Sequence, residues 1–348
     1  MYNIYMFDII SIGTATQDVF WKSPLFKVLR DPEHLEALGF PTGEAECFAL
    51  GSKIQIKDLN FDIGGGAANA AVTFARQGLK TGGLIAIGND EVGKNIKIGL
   101  KKEKIKLFPV TKDTSKTAYS TILLSKTGER TILYYRDDDS NIISEKIPWR
   151  KIKTKWIYIA TGTISLSILK NIVDHVKKQG GKVSINPSSH FIKQGLKKTK
   201  SILRKTDILF LNQEEGSYFT KIQFSKGKAI IQKLQSEGPK MVVMTKGKDG
   251  AVIANKKHHY NVGVFKEKTI ADRTGAGDAF GSGFIAGIIG TKEKDFQNEK
   301  VILRAARLAA ANATAVVEKV GAQRGALTKS QFEKESRWKK LQIKKEEA

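Results

Sequence analysis

Strand patterns that alternate with helix patterns run through the middle of this 348-residue chain. Short β-rich runs at residues 156–160, 182–186 and 208–211 are each followed by a helical pattern, at 165–179, 191–203 and 214–219. Strands joined through helices form right-handed crossovers, which produce a parallel sheet with helices on both faces. We therefore predict an α/β fold with three layers, α/β/α, around a mostly parallel central sheet.

A second, smaller sheet is predicted from the first third of the chain. Residues 117–136 alternate between apolar and polar positions around a Lys-Thr-Gly-Glu turn, which predicts a β-hairpin. The segment 19–62 mixes prolines, glycines and charges without clear periodicity, and such a segment in a compact domain is often a functional lid. We expect a domain over 1–330 with lid segments at about 14–63 and 115–137, then a charged C-terminal tail over 331–348. A lid hairpin has exposed edges that a second copy of the chain can cover, so a homodimer through the lid is an open possibility.

Residues 272–285 read Asp-Arg-Thr-Gly-Ala-Gly-Asp-Ala-Phe-Gly-Ser-Gly-Phe-Ile. Gly275, Ala276 and Gly277 leave backbone amides accessible to an anion, and the helix that follows adds further free donors and the positive end of its dipole. Asp278 places a carboxylate where a phosphate is normally favoured. That choice of residue suits a base that takes a proton from a hydroxyl group attacking a phosphate. The alternative is a capped turn before a glycine-rich core helix.

Shorter polar motifs occur at other predicted strand ends. Asp18 follows the strand at 7–13, where open α/β sheets bind ligands, and its carboxylate can accept bonds from two hydroxyl groups. Gly64 and Gly65 let the backbone approach a ligand, and Asn69 offers a donor and an acceptor. A turn or cap residue at Asp18 and an ordinary helix entry at the glycines are the structural alternatives.

A further pair follows the strand at 208–211. Asn212 and Glu215 are three residues apart, so they lie on one helical face, and a neutral and an anionic oxygen suit Mg²⁺. The alternative is a helix start, with Asn212 as the cap and the acidic residue favoured by the helix dipole.

These motifs occur in the order typical of one family. The chain resembles the ribokinase-like, or PfkB, family of carbohydrate and nucleoside kinases, which carries an early Asp, Gly-Gly-x-x-x-Asn, Asn-x-x-Glu, Thr-x-Gly-x-x-Gly and Gly-Ala-Gly-Asp in sequence. The resemblance implies an ATP- and Mg²⁺-dependent kinase, with a monovalent cation near 321–323 as a further possibility. It implies these roles: a sugar site at Asp18, Gly64, Gly65 and Asn69; a metal site at Asn212 and Glu215; a nucleotide site at Thr245, Gly247, Gly250 and Asn312; Asp278 as the base; and Gly275, Ala276 and Gly277 as the anion hole.

The acceptor is left open between a sugar and a purine nucleoside. The segment Asn-Pro-Ser-Ser-His-Phe at 186–191 departs from the sugar kinases and is similar to adenosine kinases, in which case Phe191 can stack on a base or close the lid. Arg273, Arg130 and Arg136 can each reach a phosphate or lie on the surface, and His190 faces the expected cleft. We expect a sugar, with adenosine or another purine nucleoside as the alternative.

Composition adds one more alternative. The formal net charge of +24 is large enough for a non-catalytic protein that binds nucleic acid. The excess lysines are scattered, however, and no zinc spacing or helix-turn-helix signature accompanies them, which favours a solvated surface. The single Cys47 cannot form an internal disulfide, and the apolar run at 279–290 is shorter than the ~20 residues that span a bilayer. We expect a cytoplasmic protein without a membrane partner.

Overall fold

A computed structural model describes residues 6–38, 43–111, 114–124, 130–136, 142–291 and 295–348. Its strands are β1 (Phe7–Thr14), β2 (Thr16–Lys22), β3 (Lys27–Arg30), β4 (Glu44–Cys47), β5 (Asp58–Gly64), β6 (Thr81–Ala86), β7 (Lys106–Pro109), β8 (Ala118–Leu124), β9 (Arg130–Tyr135), β10 (Thr154–Ala160), β11 (Lys182–Asn186), β12 (Ile208–Asn212), β13 (Met241–Thr245), β14 (Ala251–Asn255), β15 (His258–Val262) and β16 (Ile343–Glu347). Its α-helices are α1 (Pro32–Ala37), α2 (Gly66–Arg76), α3 (Glu91–Lys102), α4 (Leu166–Lys178), α5 (Ser189–Lys193), α6 (Gly195–Leu203), α7 (Gln213–Thr220), α8 (Gly227–Ser236), α9 (Ala276–Ile289), α10 (Glu299–Val317) and α11 (Lys329–Lys334). Short 3₁₀ turns cover Ser144–Lys146, Trp149–Lys151, Gly247–Asp249 and Ser336–Trp338.

The main sheet has ten strands in the order β16-β15-β14-β13-β12-β11-β10-β1-β6-β7. All neighbours from β13 to β7 are parallel, and β14, β15 and β16 extend the sheet with antiparallel pairs. The α/β prediction with a mostly parallel central sheet is therefore confirmed.

Side chains on the two faces of the sheet enter different core clusters, because successive strand residues point to opposite sides. Along β1, Ile10 and Ile12 join a cluster that includes apolar residues of α4 and α8, whereas Ile9 joins a cluster built largely from α9 and α10. A third cluster packs α2 and α3 against β6. The sheet is thus covered on both faces, as the crossover pattern predicts.

Helix α4 illustrates why the crossover segments form where they do. Its residues Leu169, Ile172, Val173 and Val176 are buried and repeat at helical spacing along one face. The hydroxyl of Ser165 accepts a bond from the backbone N–H of Ile168, which caps the first turn.

The smaller sheet has the order β5-β2-β8-β9. Strand β2 pairs antiparallel with β5 and parallel with β8, and β8 pairs antiparallel with β9. The predicted small sheet is therefore present, although the turn predicted between β8 and β9 lies outside the described residues. Two features were not predicted: the β3–β4 pair, and the register that places Asp18 directly opposite Asp62.

The expectation of a separate charged tail over 331–348 needs correction. Strand β16 pairs with β15 and forms an edge of the main sheet, and Trp338 is buried against Phe265 with ring centroids 5.1 Å apart. The segment looked like a tail because an edge strand carries charged side chains on its exposed positions, as Lys344 and Lys345 do here.

Within the residues that the structure describes, no helix is both long enough and apolar enough to cross a bilayer.

Candidate active site

The polar motifs meet at one edge of the main sheet. Asn186, Asn212 and Thr245 are the last residues of β11, β12 and β13, three adjacent parallel strands. The carboxyl ends of parallel strands meet at the same edge, where open α/β sheets bind ligands. Helix α9 begins beside them, because Gly275, Gly277 and Asp278 line one cavity together with these three residues.

The turn before α9 requires glycine at its first position. Gly275 has a left-handed backbone, with φ of 78°, and a Cβ there would lie 2.5 Å from the Cβ of Ala322. Gly277 is not required to be glycine by packing, because a Cβ there would meet no described heavy atom within 4 Å. The space beside Gly277 is therefore open, and this residue lines two cavities. A helix start with free amides and open space is suited to bind an anion.

Two carboxamides hold the Asp278 carboxylate in the first turn of α9. Asn69 Nδ2 donates to Asp278 Oδ2 at 3.0 Å, and Asn186 Nδ2 donates to Asp278 Oδ1 at 3.2 Å. Asn69 lies on α2, whose first residue Gly66 also packs against this carboxylate. Both oxygens are therefore oriented by neutral donors, and no cation is needed to place them.

Burial raises the pKa of Asp278 above the ordinary aspartate value, and the hydrogen bond from Asn69 opposes that rise. The Tyr158 hydroxyl lies nearby, since a Cβ at Gly281 on α9 would approach it within 2.7 Å. Burial, and then the negative charge of Asp278, raise the pKa of Tyr158 well above its usual value, which keeps the phenol neutral. The carboxylate thus has neutral hydrogen-bond partners, in buried surroundings that strengthen its affinity for a proton.

Asp18 lies on β2 of the small sheet, rather than in a loop after β1. Its side chain is buried, and the hydroxyl of Thr16 donates to Oδ1 at 3.0 Å. Gly64 must be glycine, because a Cβ there would overlap the Asp18 carboxylate. Burial raises the pKa of Asp18, while bonds from Thr16 and Ser120 and the charge of Arg136 lower it. The structure thus joins Asp18 to the Gly64–Gly65 segment and, through Gly66, to Asp278.

Asp62 forms a second carboxylate on the same face of the small sheet, opposite Asp18. Burial raises its pKa to about 6, although a bond from the Ile63 backbone and the charge of Arg324 act in the opposite direction. Arg324 Nε lies 3.9 Å from Asp62 Oδ2. The small sheet therefore carries two facing carboxyl groups, Asp18 and Asp62, both with raised pKa.

A cavity of about 290 Å³ lies beside the α9 turn. Thr245, Gly247 and Gly250, the predicted nucleotide-site residues, line it. Its apolar wall was not predicted and comes from Val264 and from one face of α10, at Ala310, Ala313, Thr314 and Val317. The spacing of those four positions, i, i+3, i+4 and i+7, is the sequence signal that could have identified that face.

Asn312 does not line this cavity, which corrects its predicted nucleotide role. It is fully buried, and its Nδ2 donates to the carbonyl of Ala279 at 2.9 Å, while its Oδ1 accepts from the Leu327 N–H at 2.9 Å. It lies on α10 on the face opposite to the cavity-lining positions, because two residues along a helix correspond to about 200° of rotation. Asn312 therefore connects α9 to the segment before α11.

A second cavity of about 240 Å³ contains Asn212, Glu215 and Asp278. Asn212 and Glu215 form the helix cap that was the structural alternative: Glu215 N donates to Asn212 Oδ1 and Asn212 N donates to Glu215 Oε2, both at 2.8 Å. Burial raises the pKa of Glu215, and the charges of Glu214 and Asp278 add to that effect. No group of three or more His, Cys, Asp or Glu side chains suited to a metal occurs in the part of the chain that the structure describes.

The ligand-stacking role predicted for Phe191 also needs correction. Its side chain is 1% exposed and packs edge-on against Phe219 in the core, with ring centroids 6.0 Å apart. It is therefore not available to stack on a ligand. Its neighbour His190 is exposed, as are Arg273 and Arg136, and Arg273 lines the 290 Å³ cavity. The side chain of Arg130 lies outside the described residues.

Two site residues were missed by sequence reasoning. Asn186 was noted only as part of a segment that departs from sugar kinases, yet its position at the end of β11 places it on the edge shared with Asn212. Gln323 was considered only within the segment 321–323, for a monovalent cation, yet it donates from Nε2 to Asn69 Oδ1 at 3.1 Å. No local pattern predicts a contact between residues so distant in sequence.

A carboxylate beside a helix N-terminus is an arrangement suited to phosphoryl transfer to a hydroxyl group. Residues 40–329 match the model of the pfkB family carbohydrate kinases. The chain belongs to this family, and it is an ATP-dependent kinase of a sugar or a nucleoside.

Individual relatives agree with this assignment. The chain is 28% identical to an ATP-dependent 6-phosphofructokinase of Thermoanaerobacterium thermosaccharolyticum, over 65% of this chain and 72% of that protein. It is 27% identical to a ribokinase of Haemophilus influenzae, over 76% of this chain and 84% of that one. Among solved structures, a ribokinase from Giardia lamblia superposes with a TM-score of 0.74 at 20% identity, covering 94% of this chain and 97% of that one.

Proposed function

We propose that the protein transfers the γ-phosphoryl group of ATP to a hydroxyl group, a primary one, of a carbohydrate. The observation that carries the proposal is the position of Asp278 in the first turn of α9, where two carboxamides orient its carboxylate beside the open space at Gly277. A base and an anion site are thereby placed next to each other, as phosphoryl transfer to an alcohol requires.

The chemical step follows from this placement. The oxygen of the acceptor hydroxyl forms a bond to the γ-phosphorus, and Asp278 accepts the proton of that hydroxyl. The bond between that phosphorus and the bridging oxygen breaks, and its electron pair leaves with ADP. The amides of Gly275, Ala276 and Gly277 stabilise the charge on the transferred group. The raised pKa of Asp278 makes it a better proton acceptor than an exposed aspartate.

The two cavities that meet at Gly277 are suited to bind ATP. The apolar wall of Val264, Ala310, Ala313 and Val317 suits an adenine ring, and Lys248 and Arg273 at the same cavity suit phosphates. Gly277 lines both cavities, so a nucleotide in the larger one can extend its phosphates towards Asp278.

Mg²⁺ fits this site only as a partner of the phosphates. The oxygen of Asn212 and one oxygen of Glu215 already cap α7, which leaves few protein ligands. Magnesium commonly keeps several waters and binds one or two carboxylates together with substrate phosphates, so Glu215 would hold it in that way. The bound ion would offset the charge of the triphosphate.

A carbohydrate is favoured over a purine nucleoside by two observations. The aromatic side chain that suggested base stacking, Phe191, is buried in the core. The buried Asp18 and the nearby Asn69 provide hydroxyl acceptors and an amide, which suit a polyol. The small sheet that carries Asp18 would then act as a lid that excludes water.

Release of ADP across matched acceptors tests the proposal. We expect Mg²⁺-dependent release with one member of a panel of ribose, fructose, fructose 6-phosphate, 2-keto-3-deoxygluconate, adenosine, guanosine and cytidine. Fructose and its 6-phosphate form a matched pair that reports whether the site prefers an acceptor that carries an anionic group. Response to a nucleoside alone would reject the carbohydrate acceptor. A folded protein that binds ATP without turning over any acceptor, and binds DNA or RNA with a steep salt dependence, would favour the binding role instead.

Asn312 and Ala313 provide a test of the nucleotide cavity. Asn312→Ala is expected to lower the free energy of unfolding by about 2–4 kcal/mol, because it removes three buried hydrogen bonds and leaves a cavity, with little change in KM for ATP. Ala313→Leu is expected to raise KM for ATP with little change in the free energy of unfolding, since the larger side chain would enter the cavity. Urea unfolding and ATP kinetics on both variants check this, and a raised KM in Asn312→Ala alone would restore its predicted nucleotide role.

Three further expectations from the sequence stay predictions. Leu59, Phe61 and Leu133 are exposed on one face of the small sheet, which is consistent with a homodimer through the lid. A monovalent cation near 321–323 and a cytoplasmic location likewise stay predictions.

A further inference from the structure

Gln323 connects the loop after α10 to the proposed base. Its side chain is 7% exposed, and its Nε2 donates to Asn69 Oδ1 at 3.1 Å. Asn69 in turn donates from Nδ2 to Asp278 Oδ2 at 3.0 Å. Three side chains from distant parts of the sequence therefore form one continuous hydrogen-bonded chain.

The direction of this chain is determined at its end. An ionised carboxylate only accepts hydrogen bonds, so Asn69 must present its NH₂ group to Asp278. Asn69 Oδ1 then faces the opposite way, and it needs a donor there. Gln323 provides that donor, and it thereby disfavours the rotated form of Asn69, in which a carbonyl oxygen would face the carboxylate.

The backbone at Gln323 is held from several sides, so the donor is fixed in place. Arg76 donates from Nη1 to the carbonyl of Gln323 at 2.7 Å, and Arg76 itself is paired with Glu103 at 2.6 Å. On the other side, the next residue, Arg324, donates from Nη2 to the carbonyl of Phe61 on β5 at 3.0 Å. Gln323 is therefore anchored between α2 and the small sheet.

We propose that Gln323 is a positioning residue for phosphoryl transfer, acting through Asn69 to keep a donor on the Asp278 carboxylate. The inference rests on the proposed role of Asp278 as the base. It adds to the reacting centre a residue, Gln323, that makes no hydrogen bond to Asp278 itself among those described. The loop at 321–324 thereby links the small sheet to the reacting centre.

The test uses one substitution at two matched glutamines. Gln323→Met keeps the length of the side chain and removes the donor to Asn69. Gln77→Met is the control, because Gln77 is also 7% exposed and also makes a buried bond, from Nε2 to the Leu327 carbonyl at 2.7 Å. A general loss of packing would affect both variants, whereas loss of orientation at Asn69 would affect only the first.

We expect Gln323→Met to lower kcat roughly tenfold or more, because a modest loss of alignment at the reacting groups is costly. The acid limb of its kcat profile should also move to higher pH. The bond from Asn69 lowers the pKa of Asp278, so a weakened bond lets the carboxylate protonate at a higher pH. Other titratable groups whose charges couple to Asp278, Glu215 on α7 and Tyr158 on β10, are unchanged. Gln77→Met should leave both kcat and the acid limb of the kcat profile as in the wild type.

Gln323→Glu provides a second variant of similar shape. Its carboxylate can only accept, so it should turn Asn69 around and reduce kcat further. In an Asn69→Ala background, Gln323→Met should cause little additional loss, since its effect passes through Asn69. An unshifted acid limb in Gln323→Met, or an equal shift in Gln77→Met, would overturn the inference. Failure of the proposed function is distinguished by Asp278→Asn, which would then retain turnover whatever the glutamine variants do.

Discussion

Replacement of Asp278 with asparagine is expected to lower kcat by roughly 10²–10⁴-fold, the usual contribution of a positioned general base. Asparagine has nearly the same shape but cannot take the acceptor proton at neutral pH. Asn69 and Asn186 both donate to the carboxylate, so one of them would also face the new NH₂ group. ATP binding should persist, because the nucleotide cavity is lined by other residues. Steady-state kinetics and calorimetric titration with ATP measure the two effects separately.

Asp249→Asn is a suitable control for the change in charge. Asp249 is exposed in the turn Gly247–Asp249, close to residues that line the nucleotide cavity. It should keep nearly wild-type turnover. Near-wild-type kcat in Asp278→Asn would reject the base assignment, and equal losses in both variants would indicate an effect of charge rather than of proton transfer.

Much of the fold could be predicted because its signals are local. The apolar runs of β10, β11 and β12 and the helical spacing within α4 are decided by a few neighbouring residues. Strand β16 could not be predicted in the same way. Its five residues include four charges, and it becomes a strand only by pairing with β15, some 80 residues earlier in the chain.

In the candidate site, too, some features follow from local sequence and others from tertiary contacts. Residues at strand ends, such as Asn212 and Thr245, could be placed together because parallel strands end at the same edge of a sheet. Phe191 and Asn312 were assigned to ligands wrongly, because the direction of a helical side chain depends on what packs against that helix. The partners of Asp278 depend on tertiary contacts between α2, β11 and α9, which sequence spacing does not encode.

Alanine substitution at Gly275 and Gly277 is expected to separate stability from catalysis. Gly275→Ala should lower the free energy of unfolding by about 2–4 kcal/mol, because alanine disfavours a φ of 78° and its Cβ would lie 2.5 Å from the Cβ of Ala322. Turnover should fall as well, since the amides that follow would move. Urea unfolding and kcat are measured on the same preparations.

Gly277→Ala is the matched variant, because it adds the same methyl group two residues later in α9. The new Cβ meets no described heavy atom within 4 Å, and alanine favours a helix more than glycine by up to about 1 kcal/mol, so stability should be unchanged or slightly higher. The methyl group would occupy the space in front of the proposed anion hole, and kcat should fall roughly 10²-fold, as it does when an oxyanion-hole donor is lost. Full turnover in a stable Gly277→Ala would mean that the transferred phosphoryl group binds elsewhere. Loss of turnover without loss of stability would support its place at the start of α9, because only an incoming ligand would meet the methyl group there.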